Sequence, residues 1–132
     1  MEVDRRGHYA SEALRYLEER LEPGEPFLVL PEGIMLNYLA RRPTTTKYLN
    51  FMPPEFLLFG EATIREELIA STPEVVVLVH KDTSEYGPRY FGSDYGQEFG
   101  AWLDREYEIQ RLFGSRPLSS SAFGIAVLGR RP

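Results

Sequence analysis

Cysteine is absent from the chain. That excludes disulfides, thiolate metal ligands and a cysteine nucleophile. Histidine is scarce, with only His8 and His80 in 132 residues. A catalytic zinc usually takes three protein ligands and more imidazole than this, so no metal is expected. No apolar run approaches the ~20 residues of a membrane-spanning helix. Met1 leads directly into EVDRRGH, where no secretory leader is expected. Basic residues are outnumbered, 15 Lys and Arg against 20 Asp and Glu, for a net charge of −5. This balance argues against a nucleic-acid partner, which needs a basic face. Neither a phosphate-cradling loop nor a dinucleotide fingerprint occurs, so no cofactor is expected. There is no internal repeat and no low-complexity tract.

What is present describes one soluble α/β domain over residues 1–132. A chain of this length buries roughly two-thirds of its unfolded surface, enough for a proper core. Ala10, Ala13, Leu14, Leu17 and Leu21 recur at helical spacing and predict a helix over 9–21, ended by Pro23 and Gly24. FLVL (Phe27–Leu30) predicts a short buried strand. A short helix is expected over 34–40, an extended piece near Tyr48–Phe51, and a longer helix over 61–70 with Ile64 and Leu68 inward. VVVLV (Val75–Val79) is the strongest strand signal, β-branched and apolar on both faces, as in a central strand covered by helices. A helix over 94–105 would put Tyr95, Phe99, Trp102 and Leu103 on one side. Strands over 107–113 and 123–128 finish the chain, with Phe123, Ile125 and Val127 sharing a face. EPGEP (Glu22–Pro26) and GSRPLSSS (Gly114–Ser121) read as short connecting pieces. The predicted architecture is a small mixed sheet with helices packed on it. Its first two strands are parallel and its last two form an antiparallel hairpin.

In open α/β sheets, ligands bind beyond the carboxyl ends of parallel strands. Here those ends carry PEG (Pro31–Gly33) and HKDTSEYG (His80–Gly87). If the two strands are neighbours, Glu32, His80, Lys81, Asp82 and Glu85 share a rim. Each has a structural alternative. His80 can cap the sheet edge with its ring hydrogen-bonded to backbone, or act as a general acid or base. Glu32 can be a first-turn acid favoured by a helix dipole, or a ligand contact. Ser84, His80 and Asp82 do not make a credible triad: no G-x-S-x-G turn orients the serine, and three residues of one loop rarely meet that geometry. Tyr86, Tyr90, Phe91 and Tyr95 can stack on sugar rings or pin a long loop to the core. Glycines 87, 92 and 96 suit turns and close approach. Arg41 and Arg42 stand where a helix end favours cations.

Read together, LPEGIMLNYLARRPTTTKYLNFMPPE and VVVLVHKDTSEYGPRYFGSDYG resemble the C-terminal soluble domain of polytopic membrane glycosyltransferase-like proteins. These are bacterial relatives of the protein mannosyltransferases and lipid A sugar transferases. The resemblance runs from about Phe27 to the C-terminus. It implies an extracytoplasmic, periplasmic domain that follows a bundle of membrane helices and serves an enzyme using polyprenyl-phosphate sugar donors. The family's catalytic acid lies in an early loop between membrane helices, so no catalytic residue carries over to this chain. The matching motifs imply an accessory or acceptor-holding role. The expected contacts to a sugar or lipid-linked glycan are Glu32, Asn37, Arg41, His80, Asp82, Glu85 and Tyr86. The expected partner is the chain's own membrane-embedded portion. Two rival readings come from the residues themselves: a small hydrolase with His80 as general acid or base, and a structural interaction module.

Overall fold

The computed structural model describes residues 6–30, 60–71, 73–81, 84, 87–118 and 122–132. The predicted helix over 34–40 and the extended piece near Tyr48–Phe51 lie outside them.

The first helix, α1 (Arg6–Arg20), buries Ala13 and Leu17, and Leu21 continues the same row just past its end. Spacings of four residues put them on one face. After Pro23 the chain enters β1 (Leu28–Leu30), all of it buried. Helix α2 (Glu61–Ser71) leads to β2 (Val75–Val79), whose bounds match the sequence reading. Helix α3 (Gln97–Glu106) then runs directly into β3 (Tyr107–Gly114), and β4 (Gly124–Arg130) closes the sheet.

The four strands lie in the order β1-β2-β4-β3. β1 pairs with β2 in parallel, Leu30 opposite Leu78. β2 and β3 both pair antiparallel with β4. The sheet is therefore mixed, with two parallel strands and a C-terminal hairpin, as the pattern of apolar runs predicts. The alternation of side chains sorts the core into two clusters. On one face α1 covers Phe27, Val29, Val75, Val77, Ile125 and Val127. On the other, Ile64 of α2 and Phe99, Trp102 and Leu103 of α3 pack on Leu28, Leu30, Val76, Ala126 and Leu128. Phe123, Ile125 and Val127 share the α1 face, and Tyr95, Phe99, Trp102 and Leu103 share the opposite cluster, both as expected.

Two features depart from simple periodicity. The register of β3 on β4 shifts between Ile109 and Arg111. In a regular strand Ile109 and Leu112, three residues apart, would point to opposite faces. With the extra residue Gln110, they stand opposite Leu128 and Ala126 and share the α3 face. Gln110 itself turns to the α1 face, where its side chain fills the place a Cβ on Gly129 would take and accepts a hydrogen bond from Arg20 Nε at 3.3 Å.

The second departure is at the start of α3, three residues later than the sequence suggests. Residues 90–95 close on themselves instead. Asp94 N–H donates to the Tyr90 carbonyl at 2.9 Å, Tyr90 N–H donates to Asp94 Oδ2 at 2.9 Å, and Gly92 N–H donates to the Tyr95 carbonyl at 2.6 Å. Gly96, at φ 62, then turns the chain into the helix without offering a side-chain cap. The cap comes from 37 residues upstream: Glu61 Oε1 accepts from the N–H of Glu98 at 3.1 Å and of Phe99 at 3.3 Å. A carboxylate at a helix N-terminus satisfies orphan donors and complements the dipole.

Candidate functional site: the strand-end rim and the cleft beside it

The parallel register of β1 and β2 brings their carboxyl ends to one rim of the sheet. His80 stands there, one residue past β2, half-buried. Its N–H donates to the Gly124 carbonyl at 3.0 Å and extends the β2–β4 ladder by one step. Its ring lies 5.6 Å from that of Tyr90 and 6.4 Å, edge-on, from that of Phe123. Phe123 stacks in turn on Tyr9 of α1 at 6.2 Å. The rim therefore also holds the amino end of α1.

The orientation of the imidazole is specific. Leu118 N–H donates to His80 Nδ1 at 3.2 Å. An Nδ1 that accepts an amide proton carries none to give, so this geometry assigns the Nε2–H tautomer. In a serine triad the same nitrogen must donate to an aspartate. His80 thus makes the ring-to-backbone hydrogen bond of the first reading, and its Nδ1 is not arranged for a triad. Of the other predicted contacts, Glu32, Asn37, Arg41, Asp82, Glu85 and Tyr86 lie outside the described residues, so among the predicted set only His80 has a described place on the rim.

The aromatic loop divides its work. Phe91 is buried and meets Phe99 at 5.3 Å and Tyr95 at 5.5 Å, both edge-on. These two rings anchor the loop to the α3 cluster. Gly100 permits the approach: a Cβ there would lie 2.9 Å from the Gly92 Cα and carbonyl oxygen. Tyr90 stays at the rim beside His80, with the Arg89 guanidinium 5.8 Å from its ring centre.

Next to the rim, on the α3 face, is a cleft of about 530 Å³. Its floor is Leu78, Ala126 and Leu128 of the sheet, one wall is α3 from Gln97 to Asp104, and the other is Arg116, Pro117 and Leu118. Ile109 of β3 opens onto it. At its far end Arg131 donates to the Asp104 carbonyl at 3.2 Å and approaches Glu108 at 3.8 Å. Tyr107, also in the lining, donates its hydroxyl to the Pro73 carbonyl. Burial pushes its pKa up to about 12, with the carboxylates of Glu74 and Glu106 adding to the rise and Arg130 opposing it.

Sequence reasoning missed this cleft. Residues 114–121 read as a connecting piece. One signal was available: apolar residues three apart, Ile109 and Leu112, inside a strand whose period is two.

Among the described residues no three His, Cys, Asp or Glu side chains group to hold a metal ion, and no helix is long and apolar enough to cross a membrane. Comparisons with protein-family models, with curated proteins and with solved structures find no match. Function is therefore argued from the residues and their geometry.

Proposed function

We propose that this chain is an extracytoplasmic accessory domain of a membrane-embedded glycosyltransferase that uses polyprenyl-phosphate sugar donors, and that its strand-end rim holds the acceptor. The sequence motifs supply the resemblance. The observation that carries the reading is the placement of His80, Tyr90 and the amino end of α1 at one rim. A membrane portion joined ahead of α1 would then lie on the side of the domain where the polar and aromatic residues gather. An acceptor held at this rim would face that portion.

The rim orients a ligand but does not perform the transfer. The half-buried imidazole has one nitrogen committed to backbone, which suits a fixed hydrogen-bonding wall.

The test is an NMR titration of the chain with sugar phosphates and oligosaccharides. Saturable shifts at His80 and Tyr90, lost in His80→Ala and kept in a distant surface variant such as Glu18→Gln, are the expected outcome. Rim signals that stay fixed at millimolar ligand would overturn the acceptor-binding role. The reading frame upstream of the Met1 codon supplies a separate check, with a set of apolar spans expected there.

A further inference from the structure

Three irregularities of the backbone surround the cleft on the α3 face. Leu118, in its wall, is at φ 63, the one non-glycine residue in the left-handed region among the described residues. A leucine there is strained, and such strain persists only where the surroundings hold it. Here His80 Nδ1 holds the Leu118 amide, and the Leu118 side chain packs against the α3 cluster. The β-bulge at Gln110 is the second. It turns both Ile109 and Leu112 onto the cleft face, where they stay 45% and 42% exposed. The third is the Gly92–Gly100 contact, which brings the loop backbone against α3 at the cleft's upper edge. Strain and bulges concentrate where a fold aims side chains at something else.

The lining says what that is. The floor is aliphatic, and the aromatic rings beneath it, Phe91 and Tyr107, are buried and offer no face for a sugar to stack on. The two ends differ in charge. Arg116 and Gln97 line the end nearest the rim, whereas Asp104 and Glu108 join Arg131 at the other. A volume of about 530 Å³ is within the range of sites that enclose a small ligand.

We propose that this cleft binds one monomeric, single-chain anionic amphiphile, its alkyl chain along Leu78, Ala126 and Leu128 and its anionic head at Arg116. Asp104 and Glu108 outnumber Arg131 at the far end, so the head lies at the Arg116 end. Leu118, fixed by His80, is a positioning residue for the wall that the chain packs against. This site is separate from the acceptor role of the rim and does not depend on it.

The experiment is an NMR titration of the isotopically labelled chain with octyl phosphate below its micelle concentration, with 1-octanol and inorganic phosphate as parallel arms. Octyl phosphate should shift the amides of Ala101, Ile109 and Leu118 saturably and bind more tightly than 1-octanol, while inorganic phosphate leaves them unmoved. Arg116→Gln should weaken octyl phosphate about tenfold, the size expected for losing one charge-assisted contact, and leave 1-octanol unchanged. Ala101→Phe places a ring in the cleft from an exposed helical position and should abolish both. Ala101→Leu is the milder filler if the ring disturbs the fold. No saturable shift in the cleft, shifts that survive both fillers, or equal binding in Arg116→Gln would each overturn the proposal. So would binding to phosphatidylglycerol vesicles alone, with the cleft signals unmoved. Because the sugar titration reads His80 and Tyr90, failure at the rim and failure in the cleft are distinguishable.

Discussion

Among the described residues, one helix covers the α1 face of the sheet, whereas two helices leave part of the opposite face open. Both faces present aliphatic strand residues, so composition does not explain the difference. On the α1 face the sheet edge is finished by long side chains. Gln110 lies over Gly129, and the Arg111 guanidinium sits 5.4 Å from the Phe113 ring centre and 5.9 Å from that of Tyr16. Their stems cover apolar surface while their polar ends reach water. On the α3 face the exposed residues of the same strand are the shorter Ile109 and Leu112, and the facing helix offers Ala101. The reach of the edge side chains therefore decides whether a face is sealed.

The largest expected effect tests this contrast directly. Leu17, fully buried between α1 and the sheet, and Leu128, 5% exposed on the cleft floor, differ in what surrounds them. Leu17→Ala opens a closed void and should cost about 4 kcal/mol. Leu128→Ala enlarges a space already open to solvent and should cost about 2 kcal/mol, the low end of the range for such truncations. Urea unfolding of both variants measures the difference. Equal losses would mean that the two faces are packed alike.

Tyr107 gives the next effect, and its sign follows from its pKa. The phenol titrates at about 12 in the folded chain and near 10 in the unfolded one. The fold thus favours the protonated form. Its contribution is fully present below pH 10 and is lost as pH rises through 12, by about 2 kcal/mol at pH 12. Tyr107→Phe should flatten that alkaline slope. At neutral pH it should cost about 1 kcal/mol, because the Pro73 carbonyl loses its partner. A slope between pH 10 and 12 that is unchanged in Tyr107→Phe would assign the alkaline loss to other groups.

Much of this architecture was legible in the sequence. The α1 row follows from helical spacing, the bounds of β2 from a continuous β-branched run, and the parallel pairing of β1 with β2 and the hairpin from what connects the strands. The start of α3 was not legible, because the acting cap is Glu61, distant in sequence. The cleft was not legible for a related reason: a bulge and a left-handed leucine are set by tertiary contacts that no local pattern encodes. His80 stood at the predicted rim. Its tautomer depended on Leu118, 38 residues away.

A smaller effect sharpens the account of the cleft wall. At position 118, glycine should be more stable than alanine by about 1 kcal/mol, the reverse of the order in ordinary helices and strands. Both lose the leucine packing, but only glycine adopts a positive φ without strain. Thermal unfolding of Leu118→Gly and Leu118→Ala gives the order. Alanine equal to or above glycine would show that the left-handed conformation costs nothing there.

The smallest expected effect concerns how the open face is held. Two helices cover it, and they must be tied to each other as well as to the sheet. Glu61 does this by capping α3, and Arg65 Nη1 adds an ion pair to Glu98 Oε2 at 2.8 Å. Both ion-pair side chains reach solvent, Glu98 more than Arg65, so screening keeps the coupling small. A double-mutant cycle of Arg65→Ala and Glu98→Ala should return about 0.5 kcal/mol at low salt and less at 1 M salt. Glu61→Gln removes the charge at the helix dipole but keeps an acceptor, and should cost a similar few tenths. The cycle measured in Glu61→Gln separates the two contributions. If the cap fixes the distance between α2 and α3, the ion pair weakens when the cap is neutralised. An unchanged coupling would mean that packing through Ile64 and Phe99 alone sets the spacing of the helices over the open face.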